Sequence, residues 1–442
     1  MPSVNIVGGG LAGLAAAAAL GSAGFNVDLF ESRAFLGGRA TSFPVSPGED
    51  NSELIDNCQH VLLRCCVNLL DFYARLGVAD RIRFYREYYF LEPGGRLSKL
   101  ARGGMPAPLH LTYSFLRMRC LGTSDKLAIA RGMVALMRER GRRKDLEHIT
   151  MLDWLREKKQ TPRAIDRFWR QVLVSAVNEE LDRMAALHGF QVFWLGMLAR
   201  ADAYEMGVPE VPLGELYSVE AWRKLGAVHL HTRTPVERMI FREGTACGVQ
   251  IPGGSVHPAD YQICAVPFER LGALAPELGV DTAPFEHSPI TGIHVWLDRP
   301  VTELPHAALV DRTIQWMFNK SEGRYLQFVV SASRTLVEMP RADVIALALR
   351  EAAEFFPRIR DAKVERAHVI KEVRATYSAR PGMESARPEA RTRAPNVFLA
   401  GDWTRSGWPA TMEGAVRSGY RAAEAAAAAA AQPARFLLPD IA

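Results

Sequence analysis

Gly8, Gly10 and Gly13 stand in the run Gly8-Gly9-Gly10-Leu11-Ala12-Gly13, between a strand-like stretch, Val4 to Val7, and a helical one, Leu14 to Leu20. That order suits a backbone that receives phosphate. Gly8 permits a tight turn, Gly10 lets the main chain approach a pyrophosphate, and Gly13 lets the helix pack on the strand. The helix start at Leu11 and Ala12 offers free N–H groups and a partial positive charge. A second stretch, Phe25 to Phe30, ends at Glu31, about 20 residues past the glycines. A carboxylate there accepts ribose hydroxyls and repels a 2′-phosphate, which favours FAD or NAD over NADP.

Ser32 and Arg33 follow, then Gly37-Gly38-Arg39-Ala40-Thr41. A guanidinium forks onto phosphate oxygens, and glycines let the loop lie close. Far along the chain, Val397 to Trp403 contains Gly401-Asp402 and leads into Ala410-Thr411-Met412-Glu413-Gly414-Ala415. These stretches together resemble the FAD-dependent amine oxidase and phytoene desaturase superfamily. The resemblance implies FAD and an α/β (α+β) architecture: a Rossmann-type FAD-binding domain with an inserted, mixed sheet-plus-helix substrate domain. It implies that Gly38, Arg39 and Ala40 lie by the pyrophosphate, with Ser32 and Arg33 beside Glu31 in the cofactor site. Asp402 would bond the ribityl–phosphate arm. The helix beginning at Thr411-Met412 would aim its N-terminus at the pyrimidine end, stabilising the charge of a reduced flavin. Backbone near Val236, just before Arg238 to Phe241, would hold the adenine, with Tyr261 to Pro267 as the return strand.

The elements that must position these residues fit in 442 residues, long enough for two sizeable cores. A chain that is 48% hydrophobic and 23% charged is an ordinary globular one. No apolar run approaches the roughly 18–20 residues needed to span a bilayer. Ala15 to Leu20 lacks the basic segment that precedes a signal-peptide core. The six cysteines form no C-x-x-C pair, so reduced thiols and a cytoplasmic setting are expected. No metal constellation stands out, and His229-x-His231 reads as a surface ladder.

The nucleotide domain is expected to be discontinuous, from residues 1–83, 218–285 and 390–432. Residues 84–217 and 286–389 would build the substrate domain. Phe84 to Leu91, Pro93-Gly94-Gly95 and Arg96 to Leu100 read as a hairpin. Ser124 is placed as the cap of a helix from Asp125 to Arg140, Thr150 of one from Met151 to Lys159, and Thr161-Pro162 opens another to Val177. Strands at Thr291 to Leu297 and Tyr325 to Ser331 and a helix from Arg341 to Phe356 follow. The last residues, beyond the alanine-rich 422–431, are expected to be loose.

Charge is uneven. Residues 107–144 hold nine Lys or Arg against two acids, a balance of +7 in a chain of +5. Arg117, Arg119, Arg131, Arg138, Arg142 and Arg143 interleave with Leu109, Leu111, Tyr113, Phe115 and Leu116. That mixture suits anionic lipid, or else a solvated basic face. No nucleic-acid-binding motif accompanies it.

Further segments resemble a narrower group, the squalene-associated FAD-dependent enzymes that dehydroxylate hydroxysqualene in bacterial squalene and hopanoid synthesis. They are Asp56-Asn57-Cys58-Gln59-His60-Val61-Leu62-Leu63, Gly207 to Tyr217, Ile314 to Lys320 and Trp408 to Gly419. Cys58 departs from that group's glycine, so a positive φ or a close approach to the flavin is expected to be lost there. Amine chemistry fits less well, because Thr411 stands where several amine oxidases place an aromatic. The resemblance implies hydride delivery from reduced flavin to an allylic cation, with hydroxysqualene as partner. It also implies a peripheral position on the inner face of the membrane, and leaves open contact with other squalene-forming enzymes. His60 is the first choice as general acid, ahead of Glu180, His188 and Asp202, and Gln59 as a positioning group. Trp194, Phe190, Phe193, Trp316, Phe318 and Phe328 are candidates to face the cation, or simply core. A carotenoid-type desaturase, an amine oxidase and a non-catalytic prenyl-binding protein of the same fold are the alternatives.

Overall fold

The computed structural model describes residues 1–45 and 53–441. Five parallel strands form one sheet in the order Val228–His231, Asn26–Phe30, Ser3–Val7, Tyr261–Cys264 and Val397–Leu399. The helix Leu11–Ser22 and the long helix Met412–Ala429 pack on it and on each other. Both carry alanine and glycine where they meet. A Cβ at Gly419 would stand 2.2 Å from Ala12 O, so the close approach of the two helices depends on that glycine. Tyr261–Cys264 is therefore not the return strand of Arg238–Arg242. That place belongs to Thr245–Gln250 and Val256–Pro258, and Tyr261–Cys264 pairs parallel with Ser3–Val7.

A second, seven-stranded sheet takes its strands from 84–217 and 286–389. Its order is Val364–Tyr377, His287–Leu297, Tyr325–Ser331, Trp316–Ser321, His306–Leu309, Glu87–Leu91 and Leu97–Ala101. Only the pair His306–Leu309 and Glu87–Leu91 is parallel. The hairpin around Pro93-Gly94-Gly95 is present, but its first strand starts at Glu87. Residues 82–85 belong to another ribbon with Leu62–Leu63 and Met206–Pro209, so a division at 83–84 cuts through a strand. The 14-residue strand Val364–Tyr377 had no counterpart in the sequence reading. It lies at the sheet's edge, its residues largely half-buried, and lacks a clean alternation of apolar and polar positions.

Helices cover the remaining face. Thr150 and Thr161 cap as expected, accepting from Asp153 N and Ala164 N at 3.1 Å each. Ser124 does not cap. The helix Thr123–Glu139 starts two residues earlier, with Asp125 reaching back to accept the Gly122 N–H at 2.8 Å. The C-terminal residues are also not loose. Leu438 N donates to Asn68 Oδ1 at 2.8 Å, and Asp440 accepts from Arg417 and from Trp408 Nε1 at 3.0 and 2.9 Å. No helix among the described residues is long and apolar enough to cross a membrane.

Candidate active site

Between the two sheets lies a cavity of about 630 Å³. Gly8, Gly10, Leu11, Ala12, Glu31, Ser32, Arg33, Gly38, Arg39, Ala40, Val236, Asp402, Thr411 and Met412 all line it, as do Gln59 and His60. Gly13 does not. A Cβ there would fall 1.9 Å from Gly8 O, so Gly13 serves the packing of helix on strand. Gly8 has φ +113°, and a Cβ on it would meet Ala265 O at 2.5 Å. Gly10 is different. A Cβ there would have only Gly38 Cα nearby, at 3.9 Å, and would project into the cavity. The glycine loop is thus a cradle that a side chain would fill, which fits a pyrophosphate.

Glu31 braces this loop. One carboxylate oxygen accepts the Gly9 N–H at 2.8 Å, and the other accepts the Arg33 N–H at 2.8 Å and the Ser32 hydroxyl at 3.1 Å. Lone pairs remain for ribose hydroxyls. Arg39 donates to Asp402 Oδ1 at 2.6 Å and to Ala375 O at 3.1 Å, leaving other guanidinium N–H groups for an anion. Asp402 is held from behind by Arg387, which is 1% exposed and donates to Asp402 O and Ser406 Oγ at 3.0 Å each, and to Thr404 O. Trp403 lines the cavity and is locked by its Nε1–H to Val266 O at 3.0 Å. Thr411 caps the last helix, its hydroxyl accepting the Gly414 N–H at 3.0 Å, so the positive end of an 18-residue helix opens on the cavity.

The other wall comes from residues far apart in sequence. Asn57 donates to Arg39 O at 2.9 Å, which turns its Oδ1 toward His60 Nε2, also at 2.9 Å. His60 Nε2 must then carry the proton. Burial pushes the imidazole down to about 4, so it is neutral near pH 7, with its N–H committed to Asn57. Nδ1 is left as an acceptor, which suits His60 to a base or anchor and not to the general-acid role expected of it. Cys58 lies outside the left-handed region. Burial pushes its thiol up to about 12, so it stays protonated. Gly292 lies opposite this segment, where a Cβ would meet Asn57 O at 3.1 Å.

The other general-acid candidates lie elsewhere. Glu180 pairs with Arg170 and Asp202 with Arg200. His188 is buried beside Arg387, is pushed down to about 3 by burial first of all, and lines a smaller cavity with Trp194. Phe190, Phe193 and Phe328 are core. Phe318 is buried against Trp316, which donates to Ser175 Oγ at 2.7 Å, a residue of the main cavity's wall. Sequence reasoning missed Asn57, Arg387, Trp403, Asn178 and Lys320. Asn178 takes φ +58° at a helix end and ties three segments through Ser288 O, Thr376 Oγ1 and the Ala332 N–H. Among the described residues no cluster could hold a metal ion.

This architecture has known counterparts. The profile of flavin-containing amine oxidoreductases matches residues 11–427. The chain belongs to that family. It is a flavin-dependent oxidoreductase, and its cofactor is FAD. It is 26% identical to zeta-carotene desaturase of Zea mays, over 95% of this chain and 82% of that one. It is 22% identical to 15-cis-phytoene desaturase of Synechococcus elongatus, over 96% and 95% of the two chains. A triple mutant of putrescine oxidase superposes with a TM-score of 0.68 at 17% identity, over 96% and 98% of the two chains, a likeness of fold.

Proposed function

We propose that the enzyme reductively dehydroxylates hydroxysqualene, the reading to which its four narrower sequence segments point. One observation supports this most. Two of these segments, far apart in the chain, meet on one cavity, and the other two bond or pack behind it. Asn57 to Val61 line the cavity, and so do Ala410 to Met412. Leu213 N donates to Asp56 Oδ1 at 2.9 Å, and Lys320 donates to Gln59 Oε1 at 2.9 Å. Tyr217 packs on Gly37, where a Cβ would meet its ring at 2.7 Å. Thr411 spends its side chain on capping and forms no aromatic cage.

Reduced FAD, when bound, would supply the hydride and end oxidised, so that alcohol, hydride and one proton from solvent give the hydrocarbon and water. Gly8, Gly10, Glu31, Arg39 and Asp402 would hold the cofactor, and the helix from Met412 would favour its reduced, anionic form. Gln59 and His60 would engage the hydroxyl. The two sheets exclude bulk water from the cation that forms as the hydroxyl departs. A triterpene also needs access from a bilayer. Residues 105–134 present Leu109, Tyr113, Leu116 and Leu127 at 54–61% exposure, and Leu127, Arg131, Val134 and Arg138 share one helix face. This apolar and cationic surface suits anionic lipid at the inner face of the membrane. Arg143 is spent on Glu139, Asp145 and Glu157 and is not part of it.

The test is anaerobic photoreduction of the holoenzyme, then hydroxysqualene, with flavin reoxidation and product mass followed together. Stoichiometric squalene is expected. Reduced flavin beside untouched alcohol would overturn the proposal. A desaturase of the kind named for the plant and cyanobacterial relatives would instead reduce the flavin when given a polyene.

A further inference from the structure

Lys320 sits on the strand Trp316–Ser321 and donates to Gln59 Oε1 at 2.9 Å, across 261 residues of sequence. An ammonium has donors only. The atom facing it must be the amide oxygen, and the amide cannot turn over without setting N–H against N–H. Its nitrogen takes the other side, where one N–H reaches His60 O at 3.2 Å. Gln59 is 8% exposed and lines the cavity, so the second N–H is what it can offer there. Among the described residues no carboxylate pairs with Lys320 directly. Burial lowers the ammonium's pKa from its ordinary value, and Asp56 opposes this from further off, while accepting the Ser42 hydroxyl at 2.6 Å and the Leu213 N–H at 2.9 Å. The charge is therefore free to draw density toward Oε1 and strengthen the amide N–H as a donor. His60, its own N–H given to Asn57, adds an acceptor next door. A donor beside an acceptor matches a hydroxyl, which needs both, and matches neither an alkene nor an ammonium.

We propose that Lys320 is a positioning residue that holds Gln59 as a hydrogen-bond donor toward an alcohol oxygen in the cavity. This deepens the dehydroxylation reading and rests on it. The test uses oxidised holoenzyme, which has no hydride to give, titrated with hydroxysqualene and with squalene and read by the flavin's absorbance. Wild type is expected to prefer the alcohol about tenfold, the worth of one hydrogen bond to a polarised donor. Lys320→Met and Gln59→Leu are expected to bring the two affinities together, with FAD content unchanged. Gln59→Leu is close in size and has neither donor nor acceptor, so it decides the matter even if Lys320→Met loses its flavin. Lys320→Arg, which keeps a cationic donor, is expected to retain the preference. No preference in wild type, or a preference that survives Gln59→Leu, would overturn the proposal. Turnover by the reduced enzyme judges the dehydroxylation reading separately. Alcohol preferred but never converted sinks that reading alone, and alcohol converted with its preference intact in Gln59→Leu sinks only the role of Lys320.

Discussion

The two walls of the cavity are built on different principles. The nucleotide wall is made of backbone. Its glycine loop, the start of the helix Leu11–Ser22 and the Glu31 carboxylate lie close together in the chain, with Arg39 and Asp402 and the start of the last helix closing the wall from the far end, and its register follows from five parallel strands. The opposite wall is made of side chains joined over long distances: Lys320 to Gln59, Asn57 to His60, Asn178 to three segments, Arg334 to Glu179. The first wall fails when space is lost. The second fails when a partner is lost.

The sharpest way to break this contrast is at two glycines of one loop. Gly13→Ala is expected to abolish the folded flavoprotein, because its Cβ meets backbone at 1.9 Å. Gly10→Ala should fold with near wild-type stability yet release FAD, with affinity down about tenfold or more, since its Cβ projects only into the cavity. Flavin retained on gel filtration, set against the melting temperature, separates the two. Equal FAD binding in Gly10→Ala and wild type would mean that the loop is no cradle.

Next in size is Glu179→Ala on the other wall. Glu179 is fully buried, bonded to Arg334 at 2.6 and 2.7 Å and to the Ser378 hydroxyl. Removing it leaves the buried Ser378 hydroxyl and the partly exposed Arg334 guanidinium without their acceptor and should cost about 2 kcal/mol, read from the shift of a denaturant midpoint. A cost near zero would show that the long-range side-chain ties matter less than the core around them.

The pH dependence is smaller and belongs to the second wall. Burial holds His60 down at about 4 and His294 at about 3, against 6.5 when unfolded. The unfolded chain therefore binds protons first as pH falls. The contribution of these imidazoles to stability is full above pH 6.5 and is lost progressively toward pH 4. His60→Gln should flatten that acid limb in a pH series of thermal melts. An unchanged slope would place the ring in water.

The smallest effect is at the surface. Arg117→Glu or Arg131→Glu should each weaken sedimentation with anionic vesicles about fivefold, at about 1 kcal/mol per basic group. Neither should move the melting temperature appreciably. Binding that ignores both charges would leave the patch a solvated face.

Much of the first wall was legible in the residues. A glycine's need for space and an acid's place after a second strand are local facts, and the parallel sheet, FAD and the family follow from them. Thr150 and Thr161 were legible as caps for the same reason, whereas Ser124 draws attention by its type and the cap lies two residues earlier, at Gly122 with Asp125. The edge strand Val364–Tyr377 and the parallel place of Tyr261–Cys264 were not legible, since neither strand alternates cleanly and pairing depends on what else the sheet has taken in. His60 stood out by type, but its tautomer and lowered affinity for a proton come from Asn57 and from burial. Lys320 closed a segment that stood out by resemblance, Ile314 to Lys320, but nothing marked a role of its own. A lysine on a strand reads as surface until the fold brings Gln59 within 2.9 Å of it. What sequence determined here is whatever adjacent residues do to one another through the backbone. What only the tertiary structure decided is which distant side chains lose their water together, and burial and pairing then set their charge and direction.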